Sequence, residues 1–352
     1  MSNRFALVRA VICCVVMLTA SGCSQSRHEG TETFYLVGSN TKVPYWQSVL
    51  AGLNRAASDL QVKATMVGPE KYNPKEQRGI FRDIVAKKPT GIMISASDPV
   101  LLKDDIDAAI AAGIPVITVD SDAPKSKRLL FIGTNNYQAG ISGGQVLAKR
   151  LGDKGNVVVM TSASQDNLSE RLRGYQAALA YTNVKVIQVV DVQGDPSLAF
   201  DKILEIIDSA RIKVDGFVGL DSTAGKSAAE VLDRRHVKGK TIVAMDADPG
   251  TLDWIEKGAI AATIAQKPFT MGYYGLRVLD DLHHNKLAKL DANWGQDLQS
   301  LVPSIIDTGS ALIDSTNVGT IKKVAANYTV GEPRSLALLL NPGRLPAPPH
   351  GQ

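Results

Sequence analysis

Short apolar runs alternate with longer amphipathic segments along most of this chain. The run at Thr33–Val37 is followed by Pro44–Leu60, which carries apolar residues at helical spacing. Nearly all-apolar runs predict strands buried on both faces, and amphipathic segments between them predict helices that cover a parallel sheet. We therefore predict an α/β protein. The predicted strands are 33–37, 62–67, 91–94, 115–119, 129–132, 157–160, 184–190, 216–220, 241–245, 261–265, 303–306 and 311–313.

The alternation of predicted strands and helices is interrupted by a polar loop, 134–136, and then resumes. Each run of βα units is about the size of a domain, so we predict two Rossmann-like lobes with a cleft between them. We assign 33–134 plus 267–305 to the N-terminal lobe and 135–266 plus 306–327 to the C-terminal lobe. Three hinge crossovers are expected near 134–136, 266–268 and 306–308. Residues 328–352 are rich in Pro and Gly and predict a disordered tail.

The N-terminus has the pattern of an export signal. Arg4 and Arg9 form a basic region before an apolar segment, 10–19, that is too short to span a bilayer, and small residues precede Cys23. This resembles a bacterial lipoprotein signal, in which residues 1–22 are removed, Cys23 is lipidated and 23–32 form a polar tether. Leu18 lies five residues before the cysteine, whereas the lipoprotein pattern usually places Leu three before it. An ordinary secretory signal is the alternative.

Charge and cysteine content exclude several classes of function. The net charge of +4 falls to +2 when Arg4 and Arg9 leave, and the basic residues are spread, so we expect no nucleic-acid partner. Cys13 and Cys14 lie in the signal, which leaves Cys23 alone and gives no disulfide framework and no thiol nucleophile. His283 and His284 are adjacent near a predicted helix end, where histidine suits the helix dipole. We expect neither a metal nor a cofactor.

The most informative stretch is 241–268, which predicts a strand, an acidic turn, a helix, a strand and a Gln-Lys-Pro corner. It places Asp246 and Gln266 at the carboxyl ends of two strands. Ligands of open α/β sheets bind in the crevice at these ends.

Other polar and aromatic side chains follow predicted strands in the same way. Each alone has a structural explanation: the aspartates as helix caps, the aromatics as core residues and the arginine as half of a surface ion pair. Together they suit a small polyhydroxylated ligand, because charged groups bind hydroxyls strongly and aromatic faces cover sugar C–H groups. The set consists of Asn40, Lys42, Tyr45, Trp46, Asp120, Ser121, Asp122, Arg171 and Asp221.

With these residues the chain resembles the type I periplasmic sugar-binding proteins of the ribose-binding class, which serve ABC importers. The likeness spans roughly 32–321 and is carried by PVITVDS around Asp120, by the Arg-x-x-Gly-Tyr motif at 171–175 and by AMDADPGTLDWIEKGAIAATIAQKP around Asp246. It implies that two aromatics sandwich the sugar and that four polar residues hydrogen-bond to it. By position these are Tyr45 and Trp46, then Asp120, Arg171, Asp246 and Gln266.

The chain departs from the ribose-binding pattern at three positions. Val43 stands where that pattern has Asn, Ser121 where it has Arg, and Leu220 precedes Asp221 where it has Asn. These changes argue against ribose itself. Lys42, Asp122 and Asp221 are candidate replacements.

The resemblance implies a monomeric binding protein that closes on a sugar or polyol and delivers it to a membrane permease. We expect it in the periplasm or at the cell surface, anchored through Cys23, with no catalysis. A sensor that presents ligand to a chemoreceptor or sensor kinase is the alternative, and a glycosidase using Asp120 and Asp246 is a weaker one.

A lactose-repressor type of regulator would need an N-terminal helix-turn-helix in place of the signal. The Gly225-Lys226-Ser227 sequence lacks the upstream glycine spacing of a phosphate loop.

Overall fold

Two six-stranded sheets with flanking helices form the part of the chain described by the computed structural model, which covers residues 28–29, 31–209, 213–285 and 302–326. The predicted signal peptide, Cys23 and the predicted tail at 328–352 lie outside these residues. Within the described ranges, no helix combines the length and the apolar content needed to cross a membrane.

In the first run of elements, the sequence clearly marks where two of the helices begin. Asn73 and Asp98 cap the second and third helices, each followed by a proline that suits the first helical position. The elements are β1 (Thr33–Val37), α1 (Pro44–Leu60), β2 (Lys63–Val67), α2 (Pro74–Ala86), β3 (Gly91–Ile94), α3 (Pro99–Ala111), β4 (Val116–Val119) and β5 (Phe131–Gly133).

The second run repeats the pattern and then returns to the first sheet. Its elements are α4 (Asn136–Leu151), β6 (Lys154–Thr161), α5 (Asp166–Leu179), β7 (Asn183–Asp191), α6 (Pro196–Ser209), β8 (Gly216–Gly219), α7 (Ala224–Arg234), β9 (Thr241–Met245), α8 (Pro249–Glu256), β10 (Ala262–Ala265), α9 (Pro268–His284), β11 (Ile305–Asp307), β12 (Ala311–Asp314) and α10 (Val318–Ala326).

The two sheets have the same strand order, which confirms the predicted two-lobe α/β fold. The first sheet runs β11-β5-β4-β3-β1-β2 and the second runs β12-β10-β9-β8-β6-β7. All neighbouring strands are parallel except β10 and β12. The chain passes between the sheets three times: after β5, after β10 and after β11.

The third passage comes later than predicted. β11 pairs with β5 through Asp307, opposite Gly133, so the first lobe extends past the predicted boundary between 305 and 306. Asp307 also accepts a hydrogen bond from the backbone N–H of Asn135 at 3.0 Å. The first and third crossovers are therefore tied to each other.

Each lobe contains a helix pair that packs through glycines. Gly52 of α1 faces Gly272 of α9, and Gly140 of α4 faces Gly174 of α5. An added Cβ at any of the four would lie 2.0–2.1 Å from a backbone oxygen of the partner helix. Gly174 belongs to the Arg-x-x-Gly-Tyr motif, so the motif glycine allows the close approach that brings Asn136, at the start of α4, to Arg171.

The end of the predicted tether is packed against the fold. Glu32 is buried, and its carboxylate contacts His28 and, on the last turn of α9, His284. The prediction that 23–32 is entirely a solvated tether is therefore wrong at its C-terminal end, because residues 28 and 32 belong to the first lobe.

Candidate functional site

Asp120 and Asp246 occupy equivalent positions in the two lobes. Asp120 follows β4 and Asp246 follows β9, the third strand of each sheet. Both have left-handed backbone conformations, with φ of 63° and 69°. Aspartate tolerates this region better than most residues, and such conformations cluster at functional sites. The backbone N–H of each donates to the neighbouring strand, at 3.0 Å to Ile132 and 2.9 Å to Ile264. The fold therefore presents two equivalent carboxylates.

The Asp120 carboxylate is held by two hydroxyl groups of its own lobe. Tyr45 Oη donates to Oδ1 at 2.6 Å, and Ser95 Oγ donates to Oδ2 at 3.0 Å. Burial raises the pKa of Asp120, while the Tyr45 hydrogen bond and the Arg171 charge oppose that rise. Burial and the nearby Asp120 and Asp246 charges hold the pKa of Tyr45 well above its usual range. Tyr45 is therefore a neutral phenol that donates to a carboxylate.

Arg171 lies at the centre of the site and is only 2% exposed. Its Nε donates to Asn136 Oδ1 at 2.8 Å, and Nη1 donates to the Leu220 carbonyl at 2.6 Å. Its Nη2 donates to Gln266 Oε1 at 2.7 Å. The guanidinium is thus fixed by groups from three other parts of the second lobe, which excludes the surface ion pair considered as its structural explanation.

Gln266 links Arg171 to Asp246. Its Nε2 donates to Asp246 Oδ1 at 3.0 Å, and Thr263 Oγ1 donates to the Asp246 carbonyl at 2.7 Å. Burial raises the pKa of Asp246 to about 7; Arg171 and Gln266 lower it, and the Asp120 charge raises it further. Asp246 consequently changes its charge near neutral pH.

A cleft between the lobes contains this network. An outer cavity of about 1000 Å³ joins an inner recess of about 70 Å³, and residues from both lobes line each of them. All six main predicted site residues line the inner recess, together with two of the weaker candidates. These eight are Asn40, Tyr45, Trp46, Asp120, Arg171, Asp221, Asp246 and Gln266.

Three weaker candidates lie outside the recess. Asp122 forms a two-pronged ion pair with Arg128, at 2.7 and 2.6 Å, and Ser121 is wholly buried; neither lines the cleft. Both predictions are wrong because these side chains turn back into the first lobe after the left-handed Asp120. Lys42 reaches only the outer cavity, where its exposed ammonium lies 3.2 Å from Glu70.

Trp46 belongs mainly to the core of the first lobe. It is 3% exposed and meets the Tyr45 ring edge to face, with centroids 5.7 Å apart and planes at 78°. Successive helical residues point about 100° apart, so adjacent rings diverge. In this arrangement the two rings do not form the predicted pair of parallel faces around a sugar.

Asp221 offers an unused acceptor to the recess. Its Oδ1 accepts from the backbone N–H groups of Thr223 and Ala224, both at 2.9 Å, at the start of α7. Its Oδ2 is buried and has no hydrogen-bond partner among the described residues. A buried carboxylate oxygen without a donor is costly, so a ligand hydroxyl would satisfy it.

Sequence reasoning missed several residues that organise the site. Ser95 follows β3 directly, so the strand-end rule could have found it. Asn136 was treated only as part of a hinge, although it holds Arg171. Lys226 and Asp248 pair at 2.9 Å on the cleft wall.

The lobes also touch beside the cleft. Tyr72 Oη donates to the Ser97 carbonyl at 2.6 Å and contacts Ser164 Oγ of the second lobe. Ser164 Oγ also donates a hydrogen bond to the Ser97 carbonyl, at 3.0 Å. Ser164 and Ser97 line neither cavity, so this contact joins the lobes outside the recess.

Comparison with known protein families and curated sequences gives consistent matches. Residues 34–286 match the family described as periplasmic binding protein domain. The ribose import binding protein of Salmonella typhimurium is 24% identical over 272 residues, covering 77% of this chain and 90% of that protein. The D-allose-binding periplasmic protein of Escherichia coli is 24% identical over 261 residues, covering 70% and 84%.

Solved structures match the same fold. A glucose-galactose binding protein from Geobacillus stearothermophilus is 26% identical with a TM-score of 0.74, covering 82% of this chain and 99% of that one. A solute binding protein from Burkholderia graminis, in complex with D-arabinose, is 27% identical with a TM-score of 0.74, covering 82% and 97%. The type I periplasmic-binding-protein fold predicted from the sequence is thereby confirmed.

Replacing Asp246 with Asn should change how stability depends on pH. The folded pKa of about 7 exceeds the ordinary 3.8, so the contribution of Asp246 to stability is full below about pH 4 and is lost as the pH rises through about 7. Relative to Asp246→Asn, the ligand-free wild type should lose up to about 1 kcal/mol of unfolding free energy per pH unit across that window. Urea denaturation at a series of pH values measures this.

The control is Asp83→Asn, which removes an exposed carboxylate from α2. A pH-independent difference between wild type and Asp246→Asn would contradict the burial of a titrating carboxyl at this position.

Proposed function

This chain belongs to the periplasmic binding protein family, and we propose that it captures a small sugar or polyol between its lobes and delivers it to the permease of an ABC importer. Family members are solute-binding proteins and not enzymes, and they work outside the cytoplasm. The raised pKa of Asp246 therefore reflects burial in a binding site, and the glycosidase alternative is set aside.

The observation that carries the proposal is the composition of the inner recess. It holds three aspartates, one buried arginine and four carboxamides, those of Asn40, Gln165, Asn167 and Gln266. Carboxylates accept hydrogen bonds from sugar hydroxyls, and the guanidinium and the carboxamides donate to them. Relatives named for ribose and allose, and a solved relative holding D-arabinose, support a ligand of this size and chemistry.

The charge of the recess favours a neutral ligand over a sugar phosphate. Asp120, Asp221 and Asp246 face one guanidinium, so an added anion would meet net negative charge in a buried space. Three lysines, Lys42, Lys71 and Lys226, line the outer cavity and not the recess. Lys42 and Lys226 are each paired with an acidic side chain. We therefore assign neutral pentoses, hexoses or polyols as the ligand class.

Binding should close the lobes, because the recess is lined from both sides. Asp120 and Tyr45 come from the first lobe, while Arg171, Asp221 and Asp246 come from the second. Only the closed form can satisfy all the sugar hydroxyls, and this difference in affinity shifts the open–closed equilibrium. Gln266 lines the recess and directly precedes the second crossover, so it acts in both binding and closure.

A thermal-shift panel of pentoses, hexoses, polyols and sugar phosphates tests the ligand class. At least one neutral sugar should stabilise the wild type, with sugar phosphates weaker. Asp246→Ala should weaken that sugar about ten- to a hundredfold, the size expected for losing hydrogen bonds to a charged group. Isothermal titration measures the change.

The matched control is Asp83→Ala, a carboxylate lost from the outer face of α2, which should bind as the wild type does. No stabilisation by any neutral sugar, or equal affinity of the Asp246→Ala protein, would sink the proposal.

Ser164→Ala tests closure separately from ligand contact. Its hydroxyl bonds across the lobes to the Ser97 carbonyl and lines neither cavity. Losing one such bond costs about 1 kcal/mol, so the sugar should dissociate about fivefold faster. Stopped-flow fluorescence measures the rate. Ser169→Ala, whose hydroxyl bonds within α5 to the Gln165 carbonyl, is the control; equal rates for both variants would contradict closure through Ser164.

We also propose that the mature protein is a monomer anchored through a lipid on Cys23. The small residues before Cys23 support this anchor. Mass spectrometry of the N-terminal peptide from the membrane fraction should find an acylated Cys23 as the first residue. A mature chain that starts elsewhere, without lipid, would contradict the anchor.

A further inference from the structure

Four side chains that line neither the recess nor the outer cavity form a second polar cluster. They are His28 and Glu32, from the segment before β1, and Asp280 and His284, one turn apart at the end of α9. We propose that this cluster, the histidine–carboxylate cluster, binds one zinc ion. Nothing in the sugar-binding function requires it.

The ligand atoms are already close enough to share one ion. His28 Nδ1 lies 3.3 Å from Glu32 Oε2 and 3.2 Å from Asp280 Oδ1. His284 Nε2 lies 3.2 Å from Glu32 Oε1. One ligand atom from each of the four residues can be chosen so that all lie within 4.8 Å of one another.

These separations fit a tetrahedral zinc site. Zinc binds His nitrogen and carboxylate oxygen at about 2.0–2.2 Å, so the edges of its tetrahedron are roughly 3.3–3.5 Å. The distances from His28 Nδ1 to Glu32 Oε2, 3.3 Å, and to Asp280 Oδ1, 3.2 Å, nearly match such edges. His284 Nε2 lies 3.2 Å from the other Glu32 oxygen, Oε1, so the Glu32 carboxylate would rotate slightly to offer one oxygen to a shared ion. Two imidazoles and two carboxylates form a donor set that suits zinc better than magnesium or calcium, which prefer oxygen ligands alone.

A backbone contact orients one of the imidazoles for coordination. His284 Nδ1 lies 2.9 Å from the Asp280 carbonyl, which can only accept, so Nδ1 carries the proton. Nε2 is then the nitrogen that carries the lone pair, and it lies 3.2 Å from Glu32 Oε1. Metal-binding histidines are commonly fixed in this way by a hydrogen bond from the other ring nitrogen.

Charge balance also favours a divalent ion. Glu32 and Asp280 are 5% and 7% exposed, and two buried carboxylates need compensating positive charge. One divalent ion with two neutral imidazoles makes the cluster electrically neutral. The competing arrangement, two protonated histidines paired with the carboxylates, holds no metal and is the alternative that the experiment must exclude.

The position of the cluster suggests what the ion would do. It would join the segment that enters β1 to the last turn of α9, both in the first lobe. His284 gave no such indication in the sequence, because its partners His28 and Glu32 lie near the other end of the chain. The ion would fix the segment that precedes β1 against α9.

The test measures metal binding to the purified full chain after removal of metals with a chelator. We expect one zinc per chain by mass spectrometry of the desalted protein, and a rise in the melting midpoint of about 5 °C at zinc well above its dissociation constant. Cobalt substituted for zinc should give the visible spectrum of a tetrahedral site. Magnesium and calcium should give neither effect.

Variants decide whether the four residues are the ligands. His28→Gln and His284→Gln should each weaken zinc binding at least tenfold, whereas His283→Gln, on the same helix turn, and His236→Gln, on the second lobe, should not. Circular dichroism and sugar affinity report folding, and His28→Gln, outside any helix, keeps the test valid if His284→Gln does not fold. No stoichiometric zinc in the wild type, or unchanged zinc affinity of His28→Gln, would overturn the proposal.

The zinc measurements do not involve sugar, so a negative zinc result would leave the proposed transport function unaffected.

Discussion

A buried guanidinium that must be fully hydrogen-bonded is the constraint on which the site depends. Arg171 cannot lose its charge, so each of its five N–H donors needs an acceptor. Within the described residues, Asn136, the Leu220 carbonyl and Gln266 accept from three of them, which leaves two for a ligand. These acceptors come from the start of α4, the end of β8 and the end of β10. The hydrogen bonds of this one side chain therefore hold the start of α4 and the ends of β8 and β10 together. Gln266 connects Arg171 to Asp246 through a further hydrogen bond.

Repetition of one βα design supplies the other half of the site. Both sheets have the same strand order, and each places an aspartate in a left-handed conformation after its third strand. Each lobe also brings two helices together through facing glycines. Two lobes with equivalent carboxylates leave a recess whose polar groups face one another. A small ligand with hydroxyls on all sides is complementary to such a recess.

The sequence predicted most of the fold, and the main candidate residues all line the recess, for a simple physical reason. Apolar runs mark buried strands, and residues just after parallel strands gather at one edge, so Asp120, Asp246 and Gln266 could be found from position alone. The rule does not say where a side chain points. Asp122 follows the same strand as Asp120 but is captured by Arg128, a partner that no local pattern reveals.

For the same reason, the sequence pattern could not predict contacts between distant parts of the chain. Trp46 proved to be a core residue because ring orientation depends on packing in the first lobe. The boundary near 305 was misplaced because the pattern at 303–306 predicts a strand but not its neighbour, and only the pairing with β5 assigns β11 to the first lobe. The cluster of His28, Glu32, Asp280 and His284 joins residues from both ends of the described chain. Each of these features depends on tertiary structure.

A crystal structure of the protein with its stabilising sugar would show directly whether both lobes bind one ligand. We expect sugar density in the inner recess, with hydroxyls at about 2.6–3.2 Å from the carboxylates of Asp120 and Asp246 and from the Arg171 guanidinium. Both lobes would then contact one ligand. A sugar bound outside the recess, or held by one lobe while both carboxylates keep only protein partners, would contradict this expectation.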